Sequence, residues 1–497
     1  MQKQNIPATL APRLLCRDIA DTFIADISSA EKFDLRFIDL LCEMATAENQ
    51  DVAEAANTAI YGRIIEGLCD DFSDRGIKIC NEVLARILFF VASLKAYSQL
   101  NALLEKLDLN SREKIIARYN RIRRNESILG ASAKSPKRIF ILSRVTIGAD
   151  IAITSIILKR LIQTFPQAEK ILVGPDHLRE IFSGFPNVSF AEPEYKRYGS
   201  LAERTFAWFE VYKKINDLHP LADTGDTLLF DPDSRLSQLG LLPLVKEENT
   251  FLFPSRATPR EGENPSLAAL TNLWLDKVIG DQAHCFPSVS FQEKHITHTT
   301  TFFKQFSPEL LKITINFGVG RNEGKRISDS FEEQLIFSLL QRNNTIIILD
   351  SGSSPLSKER VSNFLARAAK QSIPQIFMTE SELAEKIIPF THGIIGFRGS
   401  VGAIGALISG SDGFFGYDSC CQHLAAALGI PAVTTFAGIP NERFMARWHP
   451  EGEHAATTVI PVLKPETLTP EQISALAVKT AITFHETINK YRLEAKG

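Results

Sequence analysis

Between residues 10 and 127, apolar side chains recur at spacings of three and four. RLLCRDIADTFIADI, KFDLRFIDLLCEMATAENQ and GIKICNEVLARILFFVASLKAYSQL all read as amphipathic helices, with few β-branched runs to oppose them. A last helix, LNSREKIIARYNRIRRNESIL, carries Ser111 and Glu113 near its start and arginines at 112, 118, 121, 123 and 124. That local charge reads either as a solvated face or as a docking face for an acidic partner. The pattern changes at Gly130–Lys137, GASAKSPK, a linker. Beyond it, short apolar runs alternate with helical stretches. Arg138–Ser143, Lys170–Val173, Val188–Phe190 and Asp226–Phe230 are the expected strands of a first unit, with helices between them and a weaker strand at FLFPSR. Leu311–Phe317, TIIILD, IPQIFM, His392–Gly399, DGFFGY and Ala432–Phe436 are those of a second, which closes on a helix over Pro470–Arg492. Strands alternating with helices of this size imply parallel sheets joined by crossovers. The expectation is an α/β protein with an all-helical region at 1–130 and Rossmann-like domains at 137–305 and 311–497.

Composition narrows the class without naming it. With 497 residues the chain divides into two or three domains, and 44% hydrophobic with 23% charged residues is ordinary for a soluble globular protein. A formal net charge of −3 gives no general nucleic-acid or polybasic membrane signal. The seven cysteines form no CxxC, so neither a disulfide framework nor a structural zinc site is indicated, and no metal is proposed. There is no secretory h-region at the N-terminus and no apolar run long enough for a transmembrane segment. A reducing, cytoplasmic location is expected, with peripheral contact at the inner face of the membrane left open.

The richest stretch is 416–431, GYDSCCQHLAAALGIP. Asp418, Ser419, Cys420, Cys421, Gln422 and His423 precede the apolar run Leu424–Leu428, and Gly429 and Pro431 stop it. A buried strand, a polar turn, a short helix with a glycine cap and a second strand are expected here. Such a turn faces the crevice at the carboxyl ends of the strands. In this segment DSxxxHLAAALGxP resembles the nucleotide-sugar site of the heptosyltransferase-type glycosyltransferases, the ADP-heptose:lipopolysaccharide transferase family. Cys420, Cys421 and Gln422 depart from the family's small residues. The resemblance covers roughly 138–455 and implies a GT-B fold, two facing Rossmann-like domains, here preceded by an all-α domain outside the family core. It also implies a last helix that crosses back to the first domain.

Residue by residue, the resemblance implies the following roles. Thr146–Asp150 is similar to the family's leucine-glycine-aspartate turn, making Asp150 the base that activates the acceptor hydroxyl, with Ile153, Thr154 and Ser155 on the acceptor side. Ala149 stands where the family has glycine, and Asp150 also reads as a plain helix cap. Arg235, in FDPDSRLSQLG, would hold an acceptor phosphate or carboxylate, or else pair with Asp231 or Asp233. Gly318, Gly320, Lys325 and Arg326 form a glycine-rich loop suited to donor phosphates, and Arg321 is a further cation there. The loop lacks the Walker A spacing. From their positions alone, Asp350 and Ser351 at the end of TIIILD are candidates for the donor's base or ribose, and Arg398-Gly399-Ser400, before a helix, for an anion or sugar. Asp418, Ser419, His423 and Leu424 are placed at the donor's sugar and phosphates, with packing as the other reading for His423.

These expectations describe an inverting, metal-independent glycosyltransferase that uses no cofactor. It moves a sugar from a nucleotide sugar to a protein, lipid or glycan acceptor, with no nucleic acid as partner. Oligomerisation through the N-terminal helices is a further expectation. The alternatives are a nucleotide-sugar epimerase or hydrolase of the same fold, and a scaffold acting through residues 1–127.

Overall fold

The computed structural model describes residues 10–29, 33–124, 129, 135–197, 199–218, 226–257, 264–320, 322–352 and 354–494. Most of the 130–137 linker, together with Arg321 and Ser353, lies outside the described residues. The N-terminal region is helical, as its periodicity predicts. Helices span Leu10–Ser29, Arg36–Ala45, Gln50–Thr58, Asp74–Ser93, Ser98–Lys106 and Arg112–Arg124. The third runs on through a π-helical stretch, Ala59–Ile65, into Glu66–Asp70. Local chemistry sets these boundaries: Asn49 accepts from the backbone N–H of Asp51 and Val52, and Ser73 accepts from that of Gly76.

Two parallel sheets follow. The first contains β1 (Arg138–Leu142), β2 (Glu169–Val173), β3 (Val188–Ala191), β4 (Thr227–Asp231) and β5 (Thr250–Leu252), in the order 3-2-1-4-5. The second contains β6 (Leu311–Asn316), β7 (Thr345–Asp350), β8 (Gln375–Thr379), β9 (Gly393–Arg398), β10 (Gly413–Tyr417), β11 (Ala432–Ala437) and β12 (Thr457–Val462). Its order is 12-11-10-6-7-9-8. Strand order reverses between β1 and β4 and again between β6 and β10, and crevices open at such switch points. Helices Leu267–Ile279 and Glu293–Phe303 and the strand β12 were not expected. The first had a legible signal: Ser266 caps it by accepting from Ala269 N, and Gly280 ends it at φ +82°. Pro461 lies within β12, which is tolerated because β12 is an edge strand.

The helical region is not a separate unit. Along β1, Phe140 and Leu142 belong to one core and Ile139 and Ile141 to another. Ile171, Val173 and Leu229 join the first pair, and that core continues through Phe23, Leu41, Ile60, Leu84, Leu88 and Leu104 of the N-terminal helices. One face of the first sheet is therefore covered jointly by helix Leu201–Leu218, through Trp208, Val211 and Ile215, and by residues 10–124. The expected basic helix is part of this joint. Arg118, only 3% exposed, donates to Gly240 O (3.0 Å) and Leu241 O (3.1 Å), and Arg121 forks onto Glu247. Arg112 and Arg123 pair with Glu82 and Asp74. These arginines hold the chain to itself.

The C-terminal helix, Pro470–Glu494, corrects another expectation. Its Ala477, Ala481, Phe484 and Ile488 share the core of the second domain with Ile313, Ile315 and Phe415, so it lies along that sheet rather than crossing back. Helix Glu442–Arg447 makes the crossing instead. Arg443 donates to Asp71 O (3.1 Å) and Phe72 O (3.3 Å) of the helical region, and Arg447 donates to Pro265 O of the first Rossmann unit.

Candidate active site

The 416–431 motif folds as its sequence suggests. After β10, helix Cys420–Ala427 runs to Leu428, and Gly429 follows at φ +68°. The N–H groups of Gly429 and Ile430 return to Ala426 O (3.0 Å) and Ala425 O (2.9 Å), which closes the helix end. The other end is left open. Ser419 holds the N-cap position but accepts no cap hydrogen bond, and its buried Oγ has no partner. No capping side chain takes the first-turn N–H groups, which leaves that role to an anion.

Lys325, 93 residues upstream, arrives beside this turn. Its Nζ lies 2.5 Å from Asp418 Oδ2 and 5.1 Å from the centre of the Phe444 ring. Asp418 Oδ1 accepts from Gln422 Nε2 (2.8 Å), and Gln422 Oε1 accepts from Thr434 Oγ1 (2.8 Å). The lysine loop can come this close because residue 438 is glycine, at φ +60°: a Cβ there would overlap Gly324 O. Gly318 N donates to Asn316 Oδ1 (3.0 Å), while Gly320, at φ +66°, has open space where a side chain would stand.

Asp350 ends β7 with both oxygens engaged, by Asn316 Nδ2 (2.5 Å) and Gly352 N (3.1 Å). Burial raises its pKa to about 6. The next residue, Ser351, is 1% exposed and its hydroxyl has no partner, and the same holds for Thr435 Oγ1 on β11. Ser351 follows β7 and Thr435 lies on β11, three strands away across the sheet, so of these hydroxyls it is Ser419 that stands at the helix start itself. Buried polar atoms are normally paired, so the orphan Ser419 hydroxyl at an uncapped helix start points to a polar ligand.

Other expected donor contacts are used differently. Arg326 does not face this site: it forks onto Glu332 (2.8 and 2.6 Å) and reaches Asp329 (2.6 Å), anchoring helix Asp329–Leu340. Leu424 is fully buried core, so only its backbone could serve a ligand. Arg398 and Ser400 lie apart, lining a cavity of about 500 Å³ with Lys294, His298 and Glu380.

His423 faces the first domain. Its ring stands against the Gly148 backbone and 6.0 Å from the Trp448 ring, and it is 4% exposed. Burial lowers its pKa from 6.5 to about 4, so it is neutral in the folded protein. The unfolded chain takes up this proton at higher pH than the folded one. The stabilisation is complete above about pH 6.5 and disappears as pH falls toward 4. His423→Gln should flatten that acid-side loss by up to about 3 kcal/mol, read from denaturation midpoints between pH 7 and pH 4.

On the first domain, the loop after β1 is organised by Asp150, which has no exposed surface. Its Oδ1 accepts from Arg144 N (2.7 Å) and Thr154 Oγ1 (2.8 Å), and its Oδ2 from Ser143 Oγ (2.7 Å). His177 Nε2 stands 3.4 Å from the same Oδ2. Thr154 and Ser155 do not line an acceptor surface. Both are fully buried, Thr154 on Asp150 and Ser155 on Ile151 O and Ser288 N. Helix periodicity turns both toward the core. Arg235 sits half-buried on a 3-10 turn, beside Tyr195 and beneath Cys69 and Glu66 of the helical region. Asp231 does not pair with it, because its carboxylate holds Ser234 N and Ser237 Oγ. Asp233 is taken by Arg256 and lies 3.9 Å from Arg144.

The two domains and the helical region meet at this seam. Gly148 abuts Cys420 and His423, and Glu180 accepts from Gly402 N (2.9 Å). Phe72, at φ +51°, packs 6.4 Å from Phe444 and under Arg447. Among the described residues, no group of three or more His, Cys, Asp or Glu is placed to hold a metal ion. No described helix is long and apolar enough to cross a membrane.

No family model matches the chain, and no curated protein does. Solved structures do. A family 9 glycosyl transferase from Veillonella parvula is 14% identical, with 71% of this chain and 97% of that one covered at a TM-score of 0.51. The ADP-heptose LPS heptosyltransferase II of E. coli is 17% identical over 72% of this chain and 100% of that one, at 0.46. The E. coli heptosyltransferase WaaC with ADP is 14% identical over 69% and 100%, at 0.45. The first of these shows the fold. The chain is an α/β protein of the GT-B type, as the 418–431 motif implied, with an added N-terminal helical region.

Proposed function

We propose that this protein is a glycosyltransferase that moves a sugar from a nucleotide sugar to a protein, lipid or glycan acceptor with inversion. The observation that carries the reading is the uncapped helix start at Ser419, whose own hydroxyl is unpaired, with Lys325 alongside. A diphosphate meets each of those needs, since it accepts from backbone N–H groups and hydroxyls and takes the lysine's charge. Lys325 is held by Asp418 in the free protein and exchanges that partner for the incoming phosphates. The second domain holds the donor, with Asp350 and Ser351 toward the nucleoside and Asp418, Ser419 and His423 toward the sugar and phosphates. The first domain presents the acceptor hydroxyl at the Asp150 network. Its oxygen attacks the anomeric carbon as the nucleoside diphosphate leaves from the opposite side. Lysine and helix N–H groups take the leaving charge in place of a divalent metal. Closure of the seam excludes water.

Titrating the protein with ADP, UDP, GDP and CDP, in EDTA and then in magnesium, tests this. One nucleotide should bind selectively and equally in both. If none binds, the reading is wrong.

A further inference from the structure

We propose that His177 takes the acceptor's proton and that Asp150 is its positioning carboxylate, an inference that rests on the glycosyltransferase reading. A base must come within about 2.6–3.2 Å of the hydroxyl it deprotonates. Asp150 has no exposed surface, and three protein donors already fill its two oxygens. An acceptor hydroxyl cannot reach it without dismantling the loop. His177 is the titratable side chain in contact with Asp150, and it is 20% exposed. It opens the helix His177–Phe182, which follows the carboxyl end of β2 after three residues. The two loops meet because residue 174 is glycine: a Cβ there would overlap Ser143, whose hydroxyl also holds Asp150.

Neighbours of His177 on both loops reach the second domain. Glu180, one turn further along the same helix, accepts from Gly402 N of the donor domain. Gly148, two residues before Asp150, lies against Cys420 at the start of the donor helix. With Asp150 Oδ2 3.4 Å from Nε2, the proposed pair carries the imidazole proton on Nε2 and the lone pair on Nδ1. The acceptor oxygen bonds to the anomeric carbon as its proton passes to His177 Nδ1. The bond from that carbon to the diphosphate oxygen breaks, and its electron pair leaves with the nucleoside diphosphate. The resulting imidazolium faces Asp150, whose role is to orient and stabilise it.

The test uses the full chain with ADP-glucose, UDP-glucose and GDP-mannose, water as acceptor, and nucleoside diphosphate release as readout. His177→Ala should lose at least about 100-fold in kcat with KM for the nucleotide sugar unchanged, and added imidazole should restore part of it. Asp150→Asn should also lose kcat, without imidazole rescue. An H177A protein that turns over like the wild type while D150N is inactive would give the base back to Asp150 and overturn the inference. A measurement independent of turnover is the 15N spectrum of the His177 ring. A proton on Nε2 that redistributes in D150N supports the pair, and a proton fixed on Nδ1 refutes it. Failure of all nucleotides and nucleotide sugars to bind the wild type is a different result, since it defeats the glycosyltransferase reading itself.

Discussion

A chain that starts at residue 130 is expected to be recovered as aggregate rather than as a folded two-domain protein. Phe140, Leu142, Ile171, Val173 and Leu229 on one face of the first sheet are 0 to 4% exposed, and residues 10–124 supply much of their cover. Helix Leu201–Leu218 stays on that face, so the five are uncovered in part; at about 1 kcal/mol each the loss is about 5 kcal/mol, the whole stability of a marginal domain. The truncation also strips the partners of Gly240 O and Leu241 O, both held by Arg118. Soluble yield and a circular-dichroism melt decide the matter. A truncated protein that melts like the full chain would show the helices to be a detachable module. On the expected result, loss of function after this deletion says nothing about scaffolding, because the deletion unfolds the sheet that carries Asp150 and His177.

Lys325→Ala should weaken binding of the nucleoside diphosphate by about 10- to 100-fold, the value of a hydrogen bond between charged groups at about 1.5–3 kcal/mol. The substitution also strands the Asp418 carboxylate, 8% exposed, beside the incoming phosphates, so the effect belongs at the upper end. The neighbouring Arg326→Ala is the informative contrast. It leaves the Glu332 carboxylate buried without a counter-charge, held by the Tyr417 hydroxyl, so the melting temperature should drop while the dissociation constant stays as it was. Calorimetric titration alongside thermal melts separates the two residues. Equal loss of affinity in both would mean that the loop acts as one charged patch.

Much of this architecture could be read from the chain because each Rossmann strand is a short apolar run set between helical stretches. The motif at 418–431 added the facing-domain arrangement. What escaped was information about partners. Phe140 and Ile139 look alike in sequence, and nothing local says that one meets the N-terminal helices and the other the sheet's own. Lys325 and Arg326 are adjacent cations, yet only Arg326 finds carboxylates one turn into its own helix. Thr154 and Ser155 follow Asp150 closely enough to suggest a shared surface, but the helix carries them inward. His177 had no motif of its own. Gly174, which lets the two loops touch, was the available hint. The edge strand β12 is half-exposed and carries a proline, and both features weaken a strand signal.

The most direct measurement follows, by proton NMR, the nucleotide sugar that binds as the wild-type protein turns it over in EDTA. The account predicts release of nucleoside diphosphate, with the first sugar product, on water or on an added acceptor fraction, in the opposite anomeric configuration to the donor. A nucleotide sugar recovered as its epimer, or a product that keeps the donor's configuration, would contradict it.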